Sequence, residues 1–223
     1  MQVNGLLTEL GAASSTDKAT YHNFTPIYER FLYDKRDTMS QMVEIGIANG
    51  SSIKMWDMYL PKCKILGLDI NTSYLNKYSY SDKVTLEVCD ATDTNALMSV
   101  FSKNSILPGT VDLFIDDASH RVSDHKKIMF NGWKYVKPGG LYIIEDMHTA
   151  VLDLIGRHQH IEDDKGYIDV KPETEKLVLA TMYGYKNLFP GVNADEIEHI
   201  AYVSNVKTMS LTCIFTKRRT NHS

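Results

Sequence analysis

VDLFIDDASHR, Val111–Arg121, begins as a buried β-strand and ends as something else. Val111, Leu113, Phe114 and Ile115 suit a strand covered on both faces. Two adjacent carboxylates, a serine and a histidine then follow within five positions: Asp116, Asp117, Ser119 and His120. Strand interiors tolerate charged side chains poorly, so the strand stops at the doublet, and its carboxyl end needs an explanation beyond packing.

Working outward, the pattern recurs. MVEIGI (42–47), KILGLDI (64–70), VTLEVCD (84–90) and GGLYIIED (139–146) are further strand candidates. Between them lie SIKMWDMYL, NTSYLNKY, TDTNALMSVF and SDHKKIMFNGWKYV, each able to form a helix with an apolar face and opening on Ser52, Asn71, Thr92 and Ser123 as caps. KPGG (137–140) reads as a turn before the fifth strand. Strands alternating with helices at this spacing predict a parallel sheet with helices on both faces. Beyond Asp146, residues 147–172 are polar without a single periodicity and read as a long loop or a lid with a little helix, followed by a helix over about 173–188. IEHIAYVSNV and SLTCIFTKR then predict an antiparallel hairpin turning near Lys207 and Thr208. The expected fold is α/β: a Rossmann-like, doubly wound, seven-stranded sheet with a C-terminal antiparallel hairpin. With no repeat, low-complexity stretch or Pro/Gly/Ser linker, residues 1–223 are expected to form one domain, opening on a helical segment over 1–40.

Composition narrows the function. The chain is 43% hydrophobic and 23% charged with a net charge of −4, so no basic excess points to nucleic acid. No apolar run approaches the length that crosses a bilayer, which argues against membrane insertion. Cys63, Cys89 and Cys213 form no C-x-x-C pair and read as free thiols, in keeping with a soluble, cytoplasmic protein. His158 and His160 form an H-x-H with no third soft ligand in view, and read as solvent-facing lid residues.

Acidic residues close four successive strands: Asp69, then Asp90, then Asp116 with Asp117, then Glu145 with Asp146. In an open parallel sheet the carboxyl ends of the strands share one edge, and ligands bind in the crevice there. Solvent exposure explains one polar strand end more readily than four in succession. The first strand runs into EIGIANGSS (44–52), where Gly46 and Gly50 permit a tight turn and a close approach of ligand to backbone. This is neither the dinucleotide G-x-G-x-x-G nor a phosphate loop, since no Gly-Lys-Ser/Thr follows. Asp69, about twenty residues on, can accept hydrogen bonds from both hydroxyls of a ribose. Asp90 is then placed near the base of a nucleoside.

The order E-I-G-x-x-x-G from Glu44, an acid after the second strand, C-D after the third and a terminal hairpin resembles the class I S-adenosylmethionine-dependent methyltransferases. More specifically, IDDASH (115–120) with KPGGLYIIEDMHT (137–149) resembles the metal-dependent sugar O-methyltransferases of macrolide biosynthesis, the mycinamicin and macrocin type. STDKATYHNFTPIYERF (15–31) is similar to that family's opening segment. The resemblance covers roughly residues 14 to 150 and keeps separated motifs in order; Ala118 stands where the family usually has Gly, and Met147-His148 replaces a short aliphatic or aromatic pair.

The resemblance implies a donor, S-adenosyl-L-methionine, and a metal, Mg²⁺ or Mn²⁺. Asp117, Glu145 and Asp146 can supply three carboxylate arms, as hard cations require. His120, close to Asp117, is the expected general base for a sugar hydroxyl. Asp116 should point away from the metal, because adjacent strand residues face opposite sides; it either orients His120, with the cofactor site beside it, or binds a helix N-terminus. Glu44, Gly46, Gly50, Asp69 and Asp90 are the implied cofactor contacts. Thr16, Lys18 and His22 join them in the resemblance, although Thr16 also reads as a simple helix cap. Tyr28, His148 and Thr149 are the expected acceptor contacts, with Tyr28 equally readable as core. The activity implied is metal-dependent O-methylation of a sugar or glycan acceptor, such as a rhamnose-like deoxysugar in a glycoside. The resemblance also implies homo-oligomers and work beside, or fusion to, glycosyltransferases. The alternatives are a catechol-like O-methyltransferase and a non-catalytic nucleoside-binding domain. The latter predicts broken metal or base positions, whereas all four are present.

Overall fold

The computed structural model describes residues 5–71, 78–147, 191–205 and 210–219. Among these, β1 (Gln41–Ile45), β2 (Lys64–Asp69), β3 (Val84–Val88), β4 (Val111–Asp116), β5 (Val136–Ile144), β6 (Ile197–Asn205) and β7 (Ser210–Lys217) form one seven-stranded sheet in the order β3-β2-β1-β4-β5-β7-β6. The first five strands pair parallel; β7 runs antiparallel to both β5 and β6. The doubly wound sheet and its C-terminal antiparallel pair are thus as expected. The expected turn at Lys207 and Thr208, the lid and the helix over about 173–188 lie outside the described residues, as do most of 71–78 and both His158 and His160.

Side chains alternate across the sheet, and each face has its own core. On one face Phe114, Tyr142 and Ile144 pack with Leu97 and Phe101 of α5 (Thr94–Lys103) and with Ile128 and Met129 of α6 (Val122–Gly132). On the other, Leu113, Ile115, Leu141 and Ile143 meet Leu7 of α1 (Leu6–Ser14), Tyr28 and Leu32 of α3 (Thr25–Leu32), and Ile53 and Trp56 of α4 (Ser51–Tyr59). The short α2 (Asp17–Thr20) lies between α1 and α3 in sequence. Each fully buried large apolar side chain contributes about 1.5–3 kcal/mol, so the unbroken apolar runs Leu113–Ile115 of β4 and Leu141–Ile144 of β5 are what a sheet covered on two faces requires.

Local details depart from the sequence reading. KPGG is not a turn before β5 but part of it: Val111 pairs with Val136 and Leu113 with Leu141, so the extra residues bulge within the strand, with Gly139 at φ 76°. β3 is a partly exposed edge strand rather than a doubly covered one. The caps also move. Asp93, not Thr92, caps α5, its Oδ1 accepting from the N–H groups of Asn95 (2.8 Å) and Ala96 (3.0 Å). Thr92 instead donates its hydroxyl to Asp90 at 2.7 Å, leaving the adjacent carboxylate, the stronger acceptor, for the helix. Gly50 occupies the cap position of α4 and Arg121 that of α6. All three cysteines are buried and free. No helix of the described residues is long and apolar enough to cross a membrane.

Candidate active site

Strand order reverses between β1 and β4: from β1 the chain winds outward to β2 and β3, and from β4 to β5 in the other direction. The crevice outside the carboxyl ends of these strands is where an open sheet binds ligands. Register places the predicted residues there. Ile45 pairs with Asp116 and Asp116 with Ile144, so Gly46, Asp117 and Glu145 leave the sheet side by side. The Asp117 N–H still bonds the Ile45 carbonyl at 2.9 Å, and the Glu145 N–H that of Asp116 at 2.9 Å.

The glycine turn is built for close approach. Gly46 has φ 82°, and a Cβ there would lie 2.1 Å from the Asp117 carbonyl oxygen. Asp69 anchors the same turn: its Oδ2 accepts from the Ala48 N–H at 3.0 Å and its Oδ1 from the Asn71 N–H at 2.9 Å. Asp90 closes its own turn on Thr92 and does not line the cavity.

Alternation decides what the strand-four doublet does. Asp116 faces the α6 side and is wholly buried, its Oδ2 2.9 Å from His125 Nδ1. Burial opposes charge on His125, yet Asp116 holds its pKa above the usual histidine value. Asp116 therefore orients His125, in the first turns of α6, rather than His120 or a helix N-terminus, and it lies behind the cavity. The sequence reading missed His125; its signal is the return of the helix after β4 over the face that carries Asp116.

Asp117 faces the opposite side and meets the N-terminal segment. The Lys18 ammonium sits 2.5 Å from Asp117 Oδ2, 2.8 Å from Glu145 Oε2 and 3.6 Å from Glu44 Oε1. Lys18, Glu44 and Glu145 are essentially inaccessible. Burial works against the ammonium, but the three carboxylates keep its pKa well above the ordinary lysine value. Burial also pushes Asp117 and Glu145 upward, and Glu44 to about 7; one ammonium only partly offsets three carboxylates.

Asp146 completes the rim. Its backbone enters the left-handed region at φ 49°, as does that of His120 at φ 58°, conformations uncommon for residues other than glycine. Asp146 Oδ1 lies 3.9 Å from His22 Nδ1, and Asp117 Oδ1 lies 3.9 Å from His120 Nδ1. Asp117, His120 and Asp146 offer ligand atoms all within 4.8 Å of one another, while Glu145 stands back against Lys18. His22, Gly46, Asp69, Asp117, His120, Glu145 and Asp146 line one cavity of about 200 Å³, which Asp17, Ala48 and Ala118 complete. Thr16, Lys18, Glu44, Gly50 and Asp116 do not line it, although Lys18 bonds to its Asp117 and Glu145. Tyr28 belongs to the core: it is fully buried and stacks between Phe24 and Trp56, so its surface is not offered to an acceptor. His148 and Thr149 lie outside the described residues.

No protein-family profile matches the chain. Demethylmacrocin O-methyltransferase of Streptomyces fradiae is 33% identical over 153 residues, which are 65% of this chain and 37% of that protein. Mycinamicin VI 2''-O-methyltransferase of Micromonospora griseorubida is 33% identical over the same length, 65% of this chain and 36% of that one. A rhamnosyl-tetracenomycin 3'-O-methyltransferase of Streptomyces olivaceus is 33% identical over 156 residues, 66% of this chain and 38% of that protein, so the chain is similar to O-methyltransferases over about two thirds of its own length. Among solved structures, the MycE methyltransferase of the mycinamycin pathway, in complex with Mg, S-adenosylhomocysteine and mycinamycin VI, superposes with a TM-score of 0.69 at 25% identity. That match covers 97% of this chain and 56% of MycE. The chain thus spans little more than half of this solved relative, and the aligned segment little more than a third of the curated ones.

Proposed function

We propose that this chain is the catalytic domain of an S-adenosylmethionine-dependent, divalent-metal-dependent O-methyltransferase that methylates a hydroxyl of a sugar, a deoxysugar in a glycoside or glycan being the acceptor class. The observation that carries this reading is one cavity that joins the Asp69-anchored glycine turn to Asp117, Glu145, Asp146 and His120. Relatives named as O-methyltransferases of rhamnosyl-tetracenomycins, and one solved with Mg and S-adenosylhomocysteine, support it. An acceptor of this kind is produced by glycosyl transfer, so the enzyme works after glycosyltransferases.

The donor set fits a hard cation. Glu145 Oε1 and Asp146 Oδ1 are buried and accept no hydrogen bond from the described residues, a costly arrangement for carboxylate oxygens unless a cation answers them. Oxygen ligands suit Mg²⁺ or Mn²⁺ better than imidazole does. Asp117 and Asp146 would therefore hold the metal, Glu145 joining them through Oε1 as the resemblance implies, and His120 is kept for proton transfer. The cation would stabilise charge on the acceptor oxygen as its proton leaves. S-adenosylmethionine would supply the electrophilic methyl group and leave as S-adenosylhomocysteine.

The chain's own residues do the rest. His120 takes the proton of the sugar hydroxyl, and the Asp117 carboxylate 3.9 Å away stabilises the imidazolium that forms. The Gly46 turn lets the donor approach the backbone, and Asp69 holds its ribose. The left-handed backbone at His120 and Asp146 turns both side chains into the same cavity, so the base and the carboxylate rim are placed before an acceptor would enter.

Methyl transfer from labelled S-adenosylmethionine to a panel of deoxysugar glycosides, with Mg²⁺ and with EDTA, tests the reading. Transfer that requires Mg²⁺ and is abolished by Asp117→Asn is expected. Equal transfer in EDTA, or full activity in Asp117→Asn, would refute the metal assignment; transfer to catechols alone would refute the sugar.

A further inference from the structure

We infer that Lys18 is a positioning residue that fixes how the metal carboxylates present their oxygens, and thereby sets the preference of the site for a small cation. The inference rests on the metal reading above. The ammonium takes one oxygen from each of two proposed ligands: Oδ2 of Asp117 at 2.5 Å and Oε2 of Glu145 at 2.8 Å. The second oxygen of each is left over. Asp117 Oδ1 faces His120, and Glu145 Oε1 is buried with no hydrogen-bond partner among the described residues. A carboxylate with one oxygen held by a buried ammonium offers a cation chiefly the other.

Denticity matters because the common divalent cations differ in what they accept. Ca²⁺ gathers six to eight oxygens, often by bidentate carboxylates, whereas Mg²⁺ demands six at shorter range and keeps several waters. Two pinned carboxylates deny Ca²⁺ the bidentate arms and suit Mg²⁺. Lys18 is equipped for the task. Two of its N–H donors go to Asp117 and Glu145, and Glu44 adds an ion pair at 3.6 Å. Its backbone is fixed as well, the Lys18 carbonyl accepting from the Phe24 N–H at 2.8 Å. At 2% side-chain exposure the ammonium has no access to a cofactor, so the contact with cofactor that the resemblance implied gives way to this role.

Geometry, and not charge alone, is what the inference claims, and arginine separates the two. A guanidinium keeps the positive charge but is a planar fork, not a compact point charge. The full chain, dialysed free of metal, is titrated calorimetrically with MgCl₂ and with CaCl₂ as native protein, Lys18→Arg and Lys18→Met. Lys18→Met leaves buried carboxylates unpaired, so Lys18→Met/Glu44→Gln, which removes one charge of each sign, is included, and circular dichroism confirms folding of each variant. The native protein is expected to prefer Mg²⁺. Every folded variant is expected to lose Mg²⁺ affinity by about 10–100-fold, as when a group that orients metal ligands is removed, with a smaller loss for Ca²⁺. An unchanged ratio of the two affinities in all folded variants overturns the inference while leaving the metal reading standing. A native protein that binds neither ion overturns the metal reading, and the inference with it.

Discussion

At the scale of the residue, two positions carry most of the site's geometry. Gly46 is the point where β1 passes beneath the end of β4, with a left-handed φ and no room for a methyl group beside the Asp117 carbonyl. Gly46→Ala should destabilise the fold by about 2 kcal/mol or more, from the backbone conformation plus the clash, read as a lowered midpoint in urea. His120→Ala should lower kcat by about 10²–10⁴-fold with little change in donor affinity, the loss typical of a general base; a loss under about tenfold would reduce it to a positioning role. Both residues were legible in the sequence, because a strand that ends in Asp-Asp with a histidine three residues on, and a glycine after a strand, are conspicuous. The seat of Lys18 was not. Lys18 and Glu145 are 127 positions apart, and nothing local to T-D-K shows that the ammonium turns inward to the acidic rim. The Asp116–His125 pair, only nine positions apart, was hidden because nothing in the strand itself shows that α6 folds back over the face that carries Asp116.

Among the elements, the linkage of α4 to the start of β3 shows how polar contacts set the sheet's outer half. Asp57 on α4 accepts from the Ser81 hydroxyl at 2.5 Å and the Ser81 N–H at 2.9 Å, with Lys83 Nζ at 3.3 Å. Burial pushes this carboxyl up, but the bonds from Ser81 and Lys83 outweigh it and hold its pKa below the usual aspartate value. A depressed carboxylate stabilises the folded state above its unfolded pKa, and that contribution is lost as pH falls through the folded value. Asp57→Asn should therefore cost about 1–2 kcal/mol near pH 7, and the gap to the native protein should narrow below about pH 4. Urea denaturation at both pH values measures it; a gap independent of pH would contradict the assignment. Element types were readable from period and composition, while their ends were not. KPGG has the composition of a turn, yet the pairing of β4 with β5 on either side of it absorbs the glycines as a bulge. Asp93 displaced Thr92 as a cap because the threonine hydroxyl had a nearer partner in Asp90.

At the scale of the whole molecule, the topology does the assembling. Neither Asp69, Asp117 nor Glu145 is near another in sequence, and the reversal of strand order between β1 and β4 brings all three to one cavity. The sheet and its reversed C-terminal pair could be anticipated from alternating strands and helices, and the acidic strand ends located the working edge. What sequence could not supply was depth: which carboxylates face solvent, which face Lys18, and that Tyr28 lies in the core. The most direct measurement is calorimetric titration of the metal-free protein with S-adenosylhomocysteine, in Mg²⁺ and in EDTA, alongside Asp69→Ala. Saturable one-to-one binding by the native protein in both conditions, clearly weakened in Asp69→Ala, is the expected result. No binding in either condition would contradict the methyltransferase reading and leave the acidic cavity to be explained by a different ligand.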